Sequence, residues 1–502
     1  MQIKFIEKEY WYGGCTVDGS KMPIDSEMQV TIDLSINKTP NQAMPFFVSS
    51  KGRYLWRDTG FEISFDHGII HVSDDVICEH GFGNLRNAYL AAMEKYFPFN
   101  HKTPAIELFE TPIYNTWIEL TFYQNQQAIE KYAMDILENG LPSGVLMIDD
   151  GWSNSYGDWR FHSGNFPDPK GMITGLTSMG YSVILWICPF VTPDTIKYRE
   201  ARDRNLLVLT PVGEPYIAKW WNGYSAVLDM TNPEAVAWLG SQLKELQELG
   251  VAGFKFDAGD SRYYREDNLT FSNATPNEQS IAWTEFGEKY PFNEYRVTFK
   301  AGGKAIMQRL CDKGHVWGEN GIASLIPDTL VQGITGHPYC CPDMIGGGEY
   351  LNFQSASMNL DEELFVRHAE IACLMPSMQF SAAPFRVLDD KNYSAIKKAL
   401  ETRGRYIEEI LNLLKHAAST GEPVIRYMSY EFPDAGSEKV IDQFMLGSKL
   451  LVAPIIQKGT NARMVFLPQG EWRTQNMDVI VGEDNSIEMN ASFGTPIILH
   501  RL

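Results

Sequence analysis

The hydrophobic and polar positions along the chain divide it into three regions. Residues 1–105 carry short alternating runs, such as VTIDLSI (30–36) and FEISF (61–65), separated by Asn, Pro, Gly and Asp. This alternation predicts strands joined by turns. The segment NLRNAYLAAMEKYF (84–97) has a 3.6-residue period instead and predicts a helix. We therefore expect an N-terminal β-domain, sandwich-like in form, from which a helix leads out.

Between residues 106 and 418, continuous apolar runs alternate with helical stretches. The candidate strands are YNTWIEL (114–120), GVLMIDDGW (144–152), YSVILWICPF (181–190), VAGFKFDAGD (251–260), YRVTF (295–299), GHVWGEN (314–320), TGHPYCCPDM (335–344) and LMPSMQFS (374–381). Strands that are apolar on both faces and are each followed by a helix indicate a parallel sheet. Roughly eight of them over about 300 residues favour a (β/α)8 TIM barrel over an open doubly wound sheet.

Helical periodicity ends near residue 418. Short runs such as IRYMSYEF, KLLVAPII and TPIILH, with Gly, Pro and Asn at the turns, predict a small β-domain over 419–502. The predicted architecture is α/β: a barrel over 106–418, flanked by β-domains over 1–105 and 419–502.

Charge and cysteine content narrow the classes of function. The net charge of −20 disfavours binding to nucleic acid and to anionic membranes. The seven cysteines show neither a CxxC pair nor zinc-type spacing, which fits reduced thiols. The N-terminus lacks the apolar run of a signal peptide, and no apolar stretch is long enough to span a membrane, so a cytoplasmic location is expected.

Acidic residues collect where the predicted barrel strands end, which is the functional face of such barrels. They are Asp149 and Asp150 after the second strand, Asp257 and Asp260 after the fourth, and Asp343 late in the barrel, with Trp117, Trp152 and Trp186 among their neighbours. A single strand-terminal aspartate is most often a helix cap or turn residue. Several carboxylates together with indole rings favour a neutral-sugar site, because carboxylates accept hydrogen bonds from hydroxyls and indoles cover apolar ring faces.

Several segments, in conserved order, resemble glycoside hydrolase family 31, whose α-glycosidases are built on a (β/α)8 barrel between β-domains. GFKFDAGD (253–260) resembles the nucleophile segment of the family, LVQGITGHPYCCPDMIGG (330–347) resembles the segment around its seventh strand, and VLDMTNPEAVAWL (227–239) resembles its Asp-Phe-Thr-Asn-Pro run. GEPVIRYMSYEFPD (421–434) resembles the segment after the barrel. FKFDAG, DKxxVWG and SLIPxxL are most similar to a subgroup of the family that implies α-galactoside hydrolysis more than α-glucoside hydrolysis.

The resemblance implies a retaining mechanism, in which one carboxylate attacks the anomeric carbon and another carboxyl group acts as acid and base. It implies Asp257 as the nucleophile. The family has Trp-x-Gly-Asp at its acid/base, whereas this chain has QRLCDKGHVWGEN. The resemblance implies Asp312 as the acid/base, because it follows Arg296 by 16 residues as in the family, and Glu319, next to Trp317, is the alternative. Lys255 lies two residues before Asp257 on the same strand, so its ammonium is expected to face the carboxylate and help keep it ionised.

The residues implied for sugar binding are Asp149, Asp150, Trp186, Lys255, Arg296, Trp117 and Asp343. Asp343 has two equal interpretations, sugar binding or support of its neighbours. His337 is more readily a satisfied histidine at the rim than a sugar ligand, and Asp260 is interpreted as a residue that orients an arginine or lysine.

No metal or organic cofactor is expected, because two carboxyl groups suffice for this chemistry. The expected partner is a small oligosaccharide or glycoside, with neither nucleic acid nor membrane, and a homo-oligomer is possible. An α-galactoside is favoured as substrate over an α-glucoside, and a sulfoquinovoside is disfavoured because no basic cluster is evident. A sugar-binding protein without catalysis is the alternative from another class.

Overall fold

The centre of the computed structural model, which describes residues 1–353 and 360–502, is a closed parallel sheet. Its strands are β1 (Ile113–Asn115), β2 (Val145–Ile148), β3 (Ser182–Ile187), β4 (Gly253–Phe256), β5 (Phe292–Tyr295), β6 (Met307–Arg309), β7 (Cys340–Cys341, resumed at Met344–Ile345) and β8 (Gln379–Phe380). Consecutive strands pair in parallel from β1 to β7. The predicted (β/α)8 barrel is confirmed.

The barrel closes through the interrupted seventh strand. Cys340–Cys341 pairs with β6, whereas Met344–Ile345 pairs with β8, and β8 pairs with β1. Between the two halves, Asp343 adopts the left-handed region with φ +66°. The break turns this aspartate out of the ladder at the carboxyl end of the barrel.

Helices follow most barrel strands and begin with capping residues. Asn125, Asn232 and Thr275 each accept a backbone N–H at the start of a helix, and Thr275 forms a full capping box with Glu278. The helix bounds are Leu85–Tyr96, Glu107–Glu110, Trp117–Leu120, Gln126–Glu138, Pro169–Ser178, Ile196–Asp203, Pro233–Glu248, Pro276–Gly287, Ile322–Ile334, Glu362–Ala372, Pro384–Val387, Asp390–Thr420 and Met428–Glu431, with 3-10 turns at Thr16–Lys21, Ser261–Tyr263 and Tyr350–Phe353.

Three predicted strands lie elsewhere or end sooner. The strand predicted at 295–299 begins three residues earlier, as β5. Residues 314–320, which the sequence predicts to form the next strand, are a loop, and the sixth strand of the barrel is β6 instead. Both observed strands carry polar side chains that point into a buried network, which hides them from a hydrophobic pattern. The first strand ends at Asn115, and the apolar WIEL that follows is helical.

The N-terminal region forms two antiparallel sheets, as the alternating pattern predicts. Their strands are Gln2–Lys4, Gln29–Asp33, Glu62–Asp66 and Ile69–Val72 in one sheet, and Trp11–Cys15, Ala43–Ser49, Tyr54–Trp56 and Ile77–Glu79 in the other. Phe47 of the second sheet packs on Phe61 and Phe65 near and within the first, with ring centroids 6.2 and 5.8 Å apart. This aromatic contact forms part of the core between the sheets.

The C-terminal region is also built from antiparallel sheets. Its strands are Ile425–Arg426, Phe444–Leu446, Leu450–Ala453, Ala462–Leu467, Gly470–Thr474, Val479–Gly482, Asn485–Asn490 and Ile497–Arg501. The predicted strand IRYMSYEF is shorter than expected, because Met428–Glu431 turns into a helix. A separate apolar core forms around Trp472 and Leu499. In the described part of the chain, we find no helix with the length and apolar character needed to cross a membrane.

Two further small sheets lie on the carboxyl side of the barrel. Ser153–Ser155 pairs with Asp158–Phe161 after β2. After β3, the hairpin formed by Ile217–Trp220 and Gly223–Val227 pairs with Phe190–Val191. Both are additions to the barrel at the end where its loops meet.

Candidate active site

A cavity of about 390 Å³ opens at the carboxyl ends of the barrel strands. Small-molecule sites typically occupy about 300–1,000 Å³. Among the residues that the sequence predicts for a sugar site, those lining this cavity are Trp117, Asp149, Asp150, Trp186, Lys255, Asp257, Arg296 and Asp312. The fold therefore brings Asp257 and Asp312 to one cavity.

Asp257 directly follows β4 and is held from three directions. The Arg296 guanidinium lies 3.2 Å from Oδ1 through Nε and 3.1 Å through Nη2. Trp186 Nε1 donates to Oδ2 at 3.1 Å, and the backbone N–H of Ala258 donates to Oδ1 at 2.9 Å. These contacts fix the orientation of the carboxylate at the floor of the cavity.

The charges around Asp257 keep it ionised. Burial favours the neutral acid, but the positive charges of Arg296, Lys255 and Arg309, in that order, outweigh burial and hold the pKa of Asp257 well below its ordinary value. A carboxyl group in this environment is an anion across the physiological pH range.

The two residues after this aspartate are small because the chain turns tightly there. Ala258 has φ +59°, in the left-handed region that few residues with a Cβ adopt. Gly259 has no room for a side chain, since a Cβ would lie 2.0 Å from the Trp283 ring. The turn brings Asp260 back to accept from Arg296 Nη2 at 3.0 Å, which agrees with its interpretation as a residue that orients an arginine.

Lys255 is predicted beside Asp257, but its ammonium binds Asp149. Nζ lies 2.7 Å from Asp149 Oδ2, and both side chains are buried. Arg296 and Trp186 already occupy the two oxygens of Asp257, so the lysine pairs with the other buried carboxylate. Its positive charge still helps to lower the pKa of Asp257. The main cationic partner of Asp257 is therefore Arg296.

Asp150 faces a different environment from its neighbour. Its Oδ2 accepts from Asn222 Nδ2 at 2.6 Å and from the Tyr156 hydroxyl at 3.0 Å. Burial and then the negative charge of Asp149 raise the pKa of Asp150 to about 7, although both hydrogen bonds act in the opposite direction. Asp149, in contrast, is saturated by Lys255 and the backbone, so it anchors the turn while Asp150 faces the cavity.

Asp312 lies in the loop after β6 and is held by one arginine. Arg309 Nη1 donates to its Oδ1 at 2.8 Å, and 43% of the Asp312 side chain is exposed. Within the described residues, no donor makes a hydrogen bond to its Oδ2. The side chain therefore lines the cavity while remaining partly exposed to solvent.

Arg309 lines the cavity and belongs to a buried polar network. Its Nε donates to Glu294 Oε1 at 3.1 Å, and its Nη1 donates to Asp343 Oδ1 at 2.7 Å. Gln379 Nε2 in turn donates to Glu294 Oε2 at 2.7 Å, and Asn115 donates to the Gln379 carbonyl oxygen at 3.2 Å. The network joins β1, β5, β6 and β8 and holds the guanidinium that contacts Asp312.

Asp343 does not line the cavity, which favours the second of its two interpretations. It is fully buried, and its Oδ2 accepts from the backbone N–H groups of Lys313 and Gly348 at 2.8 and 3.0 Å. With the Arg309 contact, it supports the loops on both sides of Asp312. Its place in the sugar-binding set is therefore corrected to one of support.

Three other candidates lie away from the cavity. Glu319 is exposed and is not among the lining residues. His337 is buried ahead of β7, at the opposite end of the barrel, where Nδ1 contacts Thr335 Oγ1 at 3.0 Å, so it is not a rim residue. Trp152 is buried behind Trp186, whose carbonyl oxygen accepts from its Nε1 at 2.8 Å.

The N-terminal domain contributes a segment that sequence reasoning did not identify. Pro40 lines the cavity, and its carbonyl oxygen accepts from Arg296 Nη1 at 2.8 Å. Asn41 Oδ1 accepts from the backbone N–H of Cys311 at 2.7 Å, and Gln42 Nε2 donates to the carbonyl oxygen of Arg296 at 2.6 Å. This segment fixes the residues that precede Asp312 as well as the arginine that binds Asp257.

Aromatic residues outside the predicted set also line the cavity. Trp221 lies over the Arg296 guanidinium, 5.3 Å from it, and Tyr350 packs on Trp117 with ring centroids 5.2 Å apart. Neither residue follows a barrel strand directly, so strand-end reasoning could not find them. The only signal in the sequence is the high aromatic content.

The arrangement suits acid–base chemistry on a neutral polyol. It combines an ionised, immobilised carboxylate with a second carboxyl group that is open to solvent, and with indole rings that can cover apolar faces. The cations in the cavity each pair with an acidic side chain, as in the contacts of Lys255 with Asp149 and of Arg262 with Asp260.

Two family models match consecutive parts of the chain. Residues 113–413 match the model described as "Glycosyl hydrolases family 31 TIM-barrel domain", and residues 421–500 match "Glycosyl hydrolase family 31 C-terminal domain".

Curated relatives agree with this assignment. The chain is 34% identical over 391 residues to the myogenesis-regulating glycosidase of Mus musculus, covering 76% of this chain and 55% of that protein. It is 25% identical over 471 residues to alpha-xylosidase XylQ of Lactiplantibacillus pentosus, covering 86% of this chain and 58% of that protein. The alignments thus span little more than half the length of these two relatives.

A solved structure supports the fold. The GH31 dextranase of Flavobacterium johnsoniae in complex with glucose superimposes with a TM-score of 0.84 and 19% sequence identity, covering 100% of this chain and 66% of the dextranase.

Proposed function

Because the chain belongs to glycoside hydrolase family 31, we propose that it hydrolyses terminal α-linked hexoses by a retaining mechanism. Asp257 is the nucleophile and Asp312 is the general acid and base. The observation that carries the proposal is that an ionised, immobilised Asp257 and a partly exposed Asp312 line the same cavity.

The surroundings of Asp257 support its role as nucleophile. Attack on an anomeric carbon requires a carboxylate that is ionised and correctly oriented before the sugar binds. Arg296 supplies the charge that keeps Asp257 ionised, and Trp186 holds its other oxygen. Because these partners are nearly buried themselves, little solvent reorganisation accompanies the reaction.

The surroundings of Asp312 support its role as acid and base. In the first step it must donate a proton to the leaving oxygen, and in the second it must accept one from water. A partly exposed side chain that lines the cavity and has one oxygen held by Arg309 meets both needs. Glu319, the alternative, is disfavoured because it lies outside the cavity lining.

The preferred substrate is proposed to be an α-galactoside, on the basis of the FKFDAG, DKxxVWG and SLIPxxL segments. An α-glucoside is the second candidate, since the two sugars differ only at C4. A binding protein without catalysis would not need a second, partly exposed carboxyl group in the cavity that Asp257 lines, which favours the enzyme.

The test is turnover of p-nitrophenyl α-galactoside and α-glucoside by the wild type and by Asp257→Ala. We expect the wild type to cleave the galactoside with the higher kcat/KM and Asp257→Ala to lose at least about 10⁴-fold in kcat, since removal of a nucleophile removes the covalent route. Asp267→Ala, at an exposed carboxylate paired with Arg265, is the matched control. Equal, negligible turnover by wild type and Asp257→Ala on both substrates would contradict the proposal.

A further inference from the structure

We propose that Asn222, at the tip of the hairpin after β3, is a positioning residue that determines sugar preference. Together with Tyr156, it fixes Asp150 so that one carboxylate oxygen faces the edge of the sugar ring that carries the C4 and C6 hydroxyls. The inference rests on the proposed function, because it assumes that C1 of the sugar lies between Asp257 and Asp312.

The hairpin tip is held rigidly. Trp220 pairs with Gly223 across the turn formed by Trp221 and Asn222, and Gly223, directly after the turn, has a positive φ of +98° that glycine adopts without strain. Phe190 packs on Trp220 with ring centroids 4.5 Å apart, and the hairpin adds to the strand at Phe190–Val191. The position of the tip is therefore set by the barrel.

The hydrogen bonds at Asp150 saturate one of its oxygens. Asn222 Nδ2 donates to Oδ2 at 2.6 Å and also to the Tyr156 hydroxyl oxygen at 2.9 Å. The Tyr156 hydroxyl in turn donates to the same Oδ2 at 3.0 Å. An oxygen that already accepts two hydrogen bonds has little capacity left, so Asp150 offers the sugar its Oδ1.

Neither Asn222 nor Tyr156 lines the cavity, whereas Asp150 does. Any effect of Asn222 on the sugar must therefore pass through Asp150. Its neighbour Trp221 does line the cavity and covers Arg296. The two residues of the turn thus act at different parts of the site, and a change at Asn222 is separable from the contacts of Trp221.

The strand order places Asp150 at the far edge of the sugar. Asp257 follows β4, Asp312 comes after β6 on one side, and Asp150 comes after β2 on the other. Asp312 and Asp150 are thus each two strands away from Asp257, in opposite directions along the sheet, and all three side chains line the cavity. A pyranose with C1 between Asp257 and Asp312 therefore extends its opposite edge, with the C4 and C6 hydroxyls, toward Asp150.

The experiment combines variants of the protein with deoxy forms of the sugar. The variants are Asn222→Ala, Asn222→Asp, Tyr156→Phe and, as matched control on the same hairpin, Lys219→Ala. Lys219 is exposed and lies on the strand before the turn. The substrates are the p-nitrophenyl α-hexoside that the wild type cleaves best and its 3-, 4- and 6-deoxy analogues. Binding of the free hexose and its 4- and 6-deoxy forms, measured by calorimetry, provides a readout that does not need turnover.

We expect Asn222→Ala to lose about 10–100-fold in kcat/KM on the parent hexoside, the effect of one hydrogen bond to a charged group. Asn222→Asp should lose more, because a donor becomes an acceptor next to Asp150. Removal of the 4- or the 6-hydroxyl should lower kcat/KM by a larger factor in the wild type than in Asn222→Ala. The analogue that shows this difference identifies the hydroxyl that Asp150 binds. Removal of the 3-hydroxyl should lower kcat/KM by the same factor in both proteins.

The inference is overturned if Asn222→Ala lowers kcat/KM by the same factor on the parent hexoside and on every deoxy analogue. It is also overturned if the Kd of each deoxy sugar, relative to that of the parent hexose, is the same for Asn222→Ala as for the wild type. Failure of the proposed function looks different: the wild type would show no turnover dependent on Asp257, while the binding ratios would still test the role of Asn222. A normal melting temperature for each variant excludes misfolding as the cause.

Discussion

Asp257 and Asp312, which both line the cavity, differ in exposure. On the β4 side, where Asp257 follows the strand, 9% of its side chain is exposed, and on the β6 side, where Asp312 lies in the loop, 43% of its side chain is exposed. Asp257 is fixed by contacts from Arg296, Trp186 and its own backbone. Asp312 has one fixed partner, Arg309, in a loop. In the proposed mechanism, the nucleophile, which must stay ionised, is immobilised and has its charge balanced by an arginine, whereas the acid/base, which must exchange a proton, is partly exposed.

The strands and arginines that support the two carboxylates also differ. The strands before Asp257 are regular and apolar, and its arginine is fixed by Asp260 and Pro40. The strand before Asp312 is only three residues long, and its arginine is shared with Glu294 and Asp343. The β6 side thus depends on a buried charged network, so removal of one of its members should cost stability as well as displace the arginine that holds Asp312.

The first substitution, with the largest expected effect, is Asp312→Ala. General acid catalysis contributes about 10²–10⁴-fold, but only when the leaving group needs a proton. We therefore expect a loss of that size for alkyl α-hexosides and a much smaller loss for a 2,4-dinitrophenyl glycoside, measured as kcat/KM. Glu319→Ala is the control and should stay near wild type. Equal losses of Asp312→Ala on both substrates would remove Asp312 from the role.

The second is Arg296→Ala, which removes the main cation beside Asp257. Loss of one fixed electrostatic partner costs about 10²–10³-fold in kcat. Arg296 lowers the pKa of Asp257, so its removal raises that pKa, and the nucleophile is lost at a higher pH as the solution is acidified. The acid limb of the kcat/KM profile should move to higher pH.

The matched control for this substitution is Arg265→Ala, at an exposed arginine that pairs with Asp267. It should leave both the rate and the pH profile unchanged. An Arg296→Ala profile with the acid limb of the wild type would show that another group keeps Asp257 ionised.

The third substitution is Gln42→Ala, because the Gln42 amide contacts both the arginine that binds Asp257 and the arginine that binds Asp312. Its Nε2 donates to the carbonyl oxygens of Arg296 at 2.6 Å and Arg309 at 3.0 Å. Gln42→Ala leaves these buried acceptors short of a donor, and we expect a loss of about 1–3 kcal/mol in the free energy of unfolding. Gln29→Ala, at an exposed glutamine in the same domain, serves as control in chemical denaturation. Equal stability of both variants would argue against the bridge.

The fourth is Asp150→Asn, which should change how stability depends on pH. The pKa of Asp150 is raised from 3.8 to about 7 in the folded state, so the folded protein holds a proton that the unfolded chain has already released. Wild-type stability should therefore fall as the pH rises from about 4 to about 7, by about 1.4 kcal/mol for each unit of pKa difference. Asparagine cannot ionise, so this fall should be absent. Identical pH dependence of Tm in both proteins would contradict the shift.

The sequence predicts the β4 side of the molecule better than the β6 side. Strands β2, β3 and β4 are almost wholly buried and are apolar apart from Ser182 and Lys255, so their pattern identifies them and places Asp149, Asp150 and Asp257 at strand ends. FNEY and MQR in β5 and β6 carry Glu294 and Arg309, which are inside the barrel because they pair with each other. Hydrophobic patterning cannot detect such strands.

Other parts of the site depend on contacts that are distant in sequence. Pro40 and Arg296 are 256 positions apart, and Asn222 and Asp150 are 72 apart. Nothing in the local sequence of either pair predicts the contact. Lys255 is a related case: its position on the strand is predictable, but its choice of Asp149 over Asp257 depends on Arg296 arriving from the next strand.

The most direct test of the two-carboxylate account is covalent trapping of the nucleophile. The wild type is incubated with 5-fluoro-α-galactosyl fluoride, which forms a slowly hydrolysed glycosyl-enzyme in retaining enzymes, and the labelled peptide is identified by mass spectrometry. The account predicts one sugar ester, on Asp257, and no label in Asp257→Ala. A label on Asp312 or on any other residue, with Asp257 unmodified, would contradict it.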